Sequence, residues 1–212
     1  GGGSIGYNVG KKTLKPYLLK NGAADIDLAL ATHQHMDHMK GLEELQEVYP
    51  VKKLMTGLTA GTEINVNKDV KIQTLWPESI PENEGQDANS LCSVFMIFYK
   101  EYRILVTGDL DEKGEKMMLE KYSKTGALAA DVLKIGHHGS PTSTCDEFLE
   151  AVNPTYAVIQ TGKNNYGHPS PKIIEKCVEK GIIVYRNDYH GAIGFSFGKR
   201  GITCHTVTET GE

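Results

Sequence analysis

Short apolar blocks alternate with polar turns along this chain, and their spacing predicts strands and helices in turn. Runs rich in β-branched and aromatic residues predict strands, whereas apolar residues three or four positions apart predict helices. Strands are predicted at residues 26–31, 51–55, 70–76, 91–99, 102–107, 130–135, 155–160, 182–186, 192–197 and 202–206. Helices are predicted at residues 11–20, 41–49, 111–122 and 144–152, and from Pro171 to a stop at Gly181. This alternation, with a hairpin turn at residues 100–101, indicates a mixed α/β architecture.

Two of the helix starts carry residues typical of caps. Thr144, with Glu147 three positions later, matches a capping box that satisfies the first free backbone N–H groups. Ser170 and Pro171 match an N-cap and a first helical position. The stretches 56–68 and 77–88 are polar and rich in turn-forming residues, which predicts loops.

Length and composition are those of an ordinary globular domain. The 212 residues predict one domain, residues 1–212, rather than two. The net charge of -4 gives no overall basic field for nucleic acid, although bound metal ions would add local positive charge. Four widely spaced cysteines predict free thiols rather than a disulfide framework.

The first residues and the hydropathy indicate whether the chain carries a targeting segment or a membrane span. It has no signal-peptide pattern and no apolar run near the roughly 20 residues that cross a bilayer. It begins Gly-Gly-Gly-Ser without an initiator Met. We therefore expect a processed or excised piece of a longer protein.

The densest chemistry lies in a His-x-His-x-Asp-His segment, directly after the predicted strand 26–31. Imidazole nitrogen and carboxylate oxygen are ligands that a borderline divalent metal such as zinc prefers. In an extended segment His33 and His35 point the same way, whereas the adjacent Asp37 and His38 must point elsewhere. That arrangement suits one pair of ligands on each of two cations roughly 3.5–4 Å apart. The segment sits at the carboxyl end of a strand, where α/β proteins place their sites.

Three further strand ends carry candidate residues. Asp109 follows a buried strand and a glycine and is well set to bridge two cations, although Asp is also a good helix N-cap. His137 and His138 lie between glycines after the next strand, and one of them is expected to complete a coordination shell; hydrogen bonding within the loop is the alternative. Because adjacent side chains at a strand end diverge, we expect one ligand and favour His137. His168 lies in the loop after the following strand, where it would assist a substrate oxyanion or leaving group.

Weaker candidates lie in turns. Asp87 and Asn89 precede the hairpin and would offer an oxygen to a metal or its water, a role that competes with turn formation. Ser140 closes the double-histidine loop, and His190 lies in a later loop. These four residues and His168 are candidate substrate contacts.

Taken together, these motifs resemble the metallo-β-lactamase fold and, more closely, the C-terminal domain of ComEC-family competence proteins. The matching segments are His33–His38, Asp87–Ser90, Thr107–Asp109, Leu133–Ser140, Phe148–Pro154 and Tyr166–Pro169. The resemblance implies an α/β fold, an αββα sandwich with a dimetal site at its edge, whose N-terminal strands are missing from this chain. It also implies a soluble domain of a membrane channel in a bacterial cell envelope, degrading the non-transported DNA strand during natural competence.

Two departures narrow the class of enzyme. No histidine occurs between His38 and His137, which weakens a glyoxalase or classical ribonuclease assignment. Asp109 stands where lactamases of this fold tend to use cysteine, which weakens a lactamase assignment.

The activity expected is hydrolysis of a phosphodiester, most simply in single-stranded DNA, with two divalent cations, zinc or manganese. Asp37 would orient or deprotonate the attacking water, and His168, with His190 as a weaker second candidate, would assist the leaving oxygen. The expected metal ligands are His33, His35, Asp37, His38, Asp109 and His137 or His138. There are two alternatives. One is a hydrolase of another ester, such as a phosphorylcholine ester or a thioester, and the other is a non-catalytic metal-stabilised module.

The low positive charge predicts a weak grip on the rest of a DNA strand. Lys134, Lys163 and Arg186 lie near predicted strand or loop ends and would supply a local basic track, with plain surface residues as the alternative. Activity that falls steeply with salt and shows little base preference is expected.

Overall fold

The computed structural model describes residues 2–3, 6–80 and 89–208, and the predicted mixed α/β architecture is confirmed. Asp87 lies outside the described residues. The strands are β1 Ala29–Leu30, β2 Leu54–Met55, β3 Glu63–Asn65, β4 Val70–Trp76, β5 Val94–Tyr99, β6 Tyr102–Val106, β7 Val132–Lys134, β8 Tyr156–Ile159, β9 Ile183–Arg186, β10 Ile193–Gly198 and β11 Gly201–Thr206. The helices are α1 Lys15–Lys20, α2 Met36–Gln46, α3 Glu112–Tyr122, α4 Asp146–Val152, α5 Pro171–Glu179 and α6 Asn187–His190. A π-helical turn, Gly10–Leu14, leads into α1, and a 3-10 turn, Gly136–Gly139, follows β7.

A seven-stranded sheet in the order β3-β4-β5-β6-β7-β8-β9 forms the centre of the fold. Its first half, β3 to β6, is antiparallel, and its second half, β6 to β9, is parallel. Parallel strands need long crossovers, and here α3, α4 and α5 supply them. The carboxyl ends of β6, β7 and β8 therefore lie side by side at one edge of the sheet, where the candidate chemistry also lies.

The two faces of this sheet are covered differently. One face packs against α3, α4 and α5 in a continuous core that includes Met96, Leu105, Met118, Phe148 and Ile159, each at most 1 % exposed. The other face carries a half-buried aromatic layer in which the β10–β11 hairpin lies against the sheet. The ring contacts of that layer join Phe195 and Phe197 of β10 to Tyr99, Tyr102, Tyr156 and Tyr185.

Helix α2 begins earlier than the apolar pattern predicted. It starts at Met36 rather than Gly41, with the carbonyl of His35 accepting the N–H of His38 and of Met39. Asp37 therefore lies in the first turn, where a negative charge is favoured by the helix dipole. The effect is to place two of the candidate metal ligands on a rigid helix end instead of a loop.

Other boundaries moved for local reasons. The strand predicted at 26–31 shortens to β1, which pairs with Leu54 and Met55 of β2, and Ile26 pairs with Val51 in an isolated parallel bridge. Strand β3 lies within the stretch predicted as a loop. The four cysteines are free thiols, as predicted. Within the described ranges, no helix combines the length and apolar character that a bilayer crossing requires.

The capping box predicted at Thr144 is wrong. The N-cap of α4 is Cys145, and Thr144 itself adopts a left-handed conformation with φ of 59°. The backbone N–H groups of Thr144 and Cys145 instead donate to the carboxylate of Glu115, at 2.5 and 2.8 Å. Glu115 comes from α3 and is fully buried, so it fastens α3 to the start of α4. Burial raises the pKa of this carboxyl to about 7.

Because the pKa of Glu115 is higher in the folded protein than its ordinary value of 4.5, the folded state holds a proton that the unfolded chain has released. Stability should therefore fall as pH rises from about 5 to about 8, by on the order of 3 kcal/mol from this group. Glu115→Gln removes this titrating group. The free energy of unfolding of the variant, relative to that of the wild type, should therefore increase as pH rises over that range. Urea unfolding of both proteins at each pH measures the difference; a difference that does not change with pH would contradict the assignment.

Candidate metal centre

Elements from three parts of the chain meet at the carboxyl edge of the parallel strands. Asp109 follows β6, His138 follows β7, and the N-terminal turn of α2 supplies Asp37 and His38. Single donor atoms from these four side chains lie within 4.8 Å of one another. The structure thus gathers residues separated by as many as 101 positions into one group, as the motifs predicted.

The distances inside this group are short. His38 Nε2 lies 3.1 Å from Asp109 Oδ2 and 3.3 Å from His138 Nε2. His138 Nε2 lies 3.2 Å from Asp37 Oδ2 and 3.5 Å from Asp109 Oδ2. Two imidazole nitrogens and two carboxylate oxygens form a donor set suited to a borderline divalent cation.

His33 and His35 form a second set of donors beside the first. His33 Nε2 lies 3.0 Å from His35 Nδ1 and 4.0 Å from Asp109 Oδ2. The two side chains therefore lie on the same side of the segment, as their alternation predicted. Thr32 Oγ1, 3.0 Å from His33 Nδ1, occupies the other nitrogen of that ring. Burial, with the neighbouring His38, lowers the pKa of His33 to about 3, so this imidazole is neutral and has a lone pair to offer.

Asp109 lies between the two sets. It is 3 % exposed, and its Oδ1 has no hydrogen-bond partner within the part of the chain that the structure describes. The nearest cation is the ammonium of Lys134, 3.6 Å from that oxygen. A buried carboxylate oxygen without a hydrogen bond is costly, and a metal ion would satisfy it. The donor chemistry therefore fits a metal at this position.

The charges of the group are strongly coupled. Burial acts to raise the pKa of Asp109, but hydrogen bonds from His138 and His38 and the charge of Lys134 outweigh it and lower the pKa. Hydrogen bonds to Asp109 and Asp37 raise the pKa of His138 to about 9. The pKa of His38 is also raised, since bonds to the same two carboxylates overcome its burial. Protons thus hold the positions between carboxylate and imidazole that a cation would take.

The turn after β7 decides which of its two histidines joins the group. His137 and His138 both have left-handed backbone angles, with φ of 44° and 54°. Such angles are strained for residues with a side chain, and they cluster at functional sites. They turn His138 toward Asp37 and Asp109, with its Nδ1 donating to the carbonyl of Gln160 at 2.6 Å.

The preference for His137 is therefore reversed. Its side chain packs toward His168, with ring centroids 5.7 Å apart, and burial lowers its pKa. Its Nδ1 is buried and has no hydrogen-bond partner among the described residues. The sequence argument assumed an extended strand end, but the chain forms a left-handed turn there.

Gly108 and Lys134 hold Asp109 in position. Gly108 has φ of +56°, and a Cβ there would lie 2.8 Å from Thr32 Cβ and from Thr32 Oγ1. Only glycine lets the β6 end approach the histidine segment so closely. The ammonium of Lys134 donates to the carbonyl of Gly108. Lys134 is 6 % exposed, so the expectation that it forms a surface DNA track is wrong.

A cavity of about 630 Å³ opens over the group. Its lining includes five residues that were selected from the sequence and lie outside the four-residue group: His35, Asn89, His137, Lys163 and His168. The buried Oδ1 of Asn89 and the buried Nδ1 of His168 have no hydrogen-bond partner within the described ranges. The full lining is Gly3, His35, Met36, Asp37, Asn89, Asp109, His137, His138, Lys163, Tyr166 and His168.

Other sequence candidates lie elsewhere. Ser140 is buried, and its hydroxyl is 3.0 Å from that of Thr142, a contact that stabilises the turn. His190 lies on α6, where its Nδ1 accepts the N–H of Arg186. The Arg186 guanidinium is itself paired with Asp188. Of the three expected basic residues, Lys163 is the one in the cavity lining. Tyr166, which the sequence analysis had not selected as a site residue, is also there.

Comparison with known proteins bears on the fold. The Metallo-beta-lactamase superfamily matches residues 2–65. The solved structure of CmlA, a diiron beta-hydroxylase from Streptomyces venezuelae, superposes with a TM-score of 0.55 over 87 % of this chain and 45 % of its own, at 12 % identity. At that identity the similarity concerns the fold alone. Together with the seven-stranded sheet, these matches show a metallo-β-lactamase fold.

Two of the curated relatives are competence proteins. ComE operon protein 3 of Bacillus subtilis is 31 % identical over 92 % of this chain, and competence protein ComA of Neisseria gonorrhoeae is 40 % identical over 57 %. The resemblance inferred from the motifs is thus confirmed. This chain spans only 27 % and 17 % of the lengths of those two relatives.

Removal of His138 should weaken metal binding far more than removal of His137. Because only His138 points its Nε2 into the group, His138→Ala should lose at least about 100-fold in zinc affinity, whereas His137→Ala should lose about tenfold or less, as for a residue outside the coordination shell. Competition with a chromogenic chelator measures both. Equal losses in the two variants would contradict the assignment.

Metal binding should also tighten as pH rises. Below its pKa of about 9 the His138 ring of the metal-free protein is protonated and has no lone pair for a metal, so binding must expel that proton. The apparent Kd should fall about tenfold per pH unit below about pH 9 for each proton released. Calorimetry in buffers of different protonation enthalpy counts the protons directly, with His137→Ala as the matched variant that keeps the slope. A Kd independent of pH would contradict this account.

Proposed function

We propose that this domain is a metal-dependent phosphodiester hydrolase that cuts single-stranded DNA during uptake for natural competence. One observation carries the proposal: the group of Asp37, His38, Asp109 and His138 opens into a cavity also lined by His168 and Lys163. The competence-protein relatives direct the choice of substrate to DNA.

The proposed cofactors are two divalent cations, zinc or manganese. One would be held by the four-residue group, and the other by His33 and His35, with the buried Asp109 shared between them. When bound, such cations stabilise negative charge on phosphoryl oxygens and make water a better nucleophile near neutral pH.

The second set lacks the further histidine that many hydrolases of this fold supply. Asn89 lines the same cavity and has a buried Oδ1 without a hydrogen-bond partner among the described residues. We assign this oxygen to the position of the missing histidine, where it would contact either the metal held by His33 and His35 or the water bound to that metal. An amide oxygen is a neutral ligand, which favours a harder cation such as manganese at this position.

The protein groups around the cations have separable tasks. Asp37 is the exposed member of the group, and hydrogen bonds from His138 and His38 lower its pKa, so it is ionised and able to orient a water molecule. His168 is kept neutral, since burial lowers its pKa. A neutral imidazole donates a hydrogen bond from one nitrogen, here to the leaving oxygen of the phosphodiester. Lys163, at the exposed rim, supplies positive charge for a neighbouring phosphate.

The proposed setting is a larger protein. Because the curated relatives are about four to six times longer than the part matched here, we propose that this domain belongs to a membrane channel in a bacterial envelope. There it would degrade the strand that is not transported. DNA and the channel domain are then its partners.

The proposal is tested by incubating labelled single-stranded oligonucleotides with zinc or manganese. Wild type should cut them, and Asp109→Asn should lose activity by roughly 100-fold or more, since it removes the shared charge between the two sets of donors. Asp146→Asn, a similar change at an exposed carboxylate on α4, is the matched control and should cut at the wild-type rate.

Three outcomes separate the competing functions. DNA cleavage that Asp109→Asn abolishes supports the nuclease. Turnover of a phosphorylcholine ester or a thioester without DNA cleavage would replace it with another hydrolase on this fold. Metal binding with no turnover of any of these substrates would leave a metal-stabilised binding module.

A further inference from the structure

The loop after β8 presents an aromatic ring at the mouth of the cavity. Tyr166 is 84 % exposed, the most exposed large apolar side chain among the described residues, and it lines the cavity together with Asp109 and His138. Exposing a tyrosine ring to this extent gains nothing from core packing. A ring held open beside a charged site therefore indicates a ligand-facing role.

Asn164 holds this loop in one shape. Its Nδ2 donates to the carbonyls of Gly162 and His168, at 2.8 and 2.7 Å, and its Oδ1 accepts the backbone N–H groups of Tyr166 and His168, at 3.0 and 3.1 Å. One side chain thus ties the loop on both sides of Tyr166. Binding to a braced loop costs less ordering entropy than binding to a mobile one.

Two histidine rings connect Tyr166 with the candidate metal centre. The Tyr166 and His168 rings are nearly parallel, at 27° with centroids 6.2 Å apart, and the His168 ring lies 5.7 Å from that of His137. The offset leaves much of the Tyr166 ring free for a further flat group. Lys163, three positions earlier, lies on the same rim and is exposed.

We propose that Tyr166 is a stacking platform for a nucleobase next to the scissile phosphate, with Lys163 contacting an adjacent phosphate. This inference rests on the proposed nuclease function and names how that site holds its substrate. A flat aromatic face with a nearby cation is the combination by which proteins grip single strands without reading sequence.

The platform selects single strands. A paired base is stacked within its duplex and cannot lie on Tyr166 without being unstacked, which costs a few kcal/mol. Stacking is tolerant of base identity because every base has a π-face. The platform therefore adds affinity without adding base preference.

The test compares an oligothymidylate with an abasic strand of equal length, which keeps every phosphate but has no bases. Wild type should prefer the base-containing strand, with a KM lower by about 5- to 100-fold, corresponding to one stacked base. Tyr166→Ala should reduce this preference toward one, whereas Tyr166→Phe keeps the ring and should retain it. Tyr17→Ala, at an exposed tyrosine on α1 outside the cavity lining, is the matched control.

A second readout is independent of catalysis. A strand carrying iododeoxyuridine and cleavage-resistant phosphorothioate linkages, bound with metal present and irradiated, should cross-link at Tyr166. Peptide mapping locates the adduct. Tyr166→Ala should lose it, and Tyr17→Ala should keep it.

The outcomes distinguish this inference from the nuclease proposal. If wild type cuts neither strand, the nuclease function fails and the platform with it. If wild type cuts DNA but the preference for bases is the same in Tyr166→Ala, or the cross-link maps elsewhere, the nuclease stands and the platform is wrong.

Discussion

The buried carboxylate of Asp109 is the constraint on which the rest of this site depends. A charge buried to 3 % exposure is tolerated only when opposite charges and hydrogen bonds surround it. Here Lys134 approaches one oxygen at 3.6 Å and His38 approaches the other at 3.1 Å. Lys134 is itself buried, so the two charges need each other. The surplus of donors around Asp109 Oδ2, and the lack of a hydrogen bond to Oδ1, suit a carboxylate that a cation completes.

The sheet and its helices hold this charge in place. Parallel strands bring the ends of β6, β7 and β8 to one edge, so that Asp109, the left-handed His137–His138 turn and the Tyr166 loop become neighbours. Strained backbone persists only where its surroundings over-determine it. The buried Glu115 fastens α3 to the start of α4, and the hydroxyl of Ser143 donates to the carbonyl of Gly136 at the base of that turn.

Site residues could be identified from the sequence where a residue pattern determines their position, but not where a backbone angle does. Spacing alone led to His33, His35, Asp37, His38 and Asp109, because strand ends and short-range motifs determine where those residues lie. The choice between His137 and His138 was wrong because an extended strand end was assumed where the chain forms a left-handed turn.

Burial was the second source of error. Lys134 reads as a surface lysine because strand polarity does not reveal a buried ion pair between neighbouring strands. Arg186 was placed on a basic track, although Asp188, two residues away, was a visible partner. Tyr166 carried one usable signal, an aromatic residue in a polar, glycine-containing loop next to a histidine. That signal becomes informative only when the loop is known to border the cavity.

The net charge of -4 also has a consequence for how such a site would hold DNA. With Lys134 buried and Arg186 paired, little positive charge faces the cavity apart from Lys163 and whatever cations are bound. Electrostatic attraction is then concentrated at the scissile phosphate, and it does not favour single strands, since a duplex carries the higher density of phosphate charge. Stacking supplies that preference, because only an unpaired base can lie on an exposed ring. On the proposed function, affinity for phosphate and selectivity for single strands thus come from different residues of the same cavity.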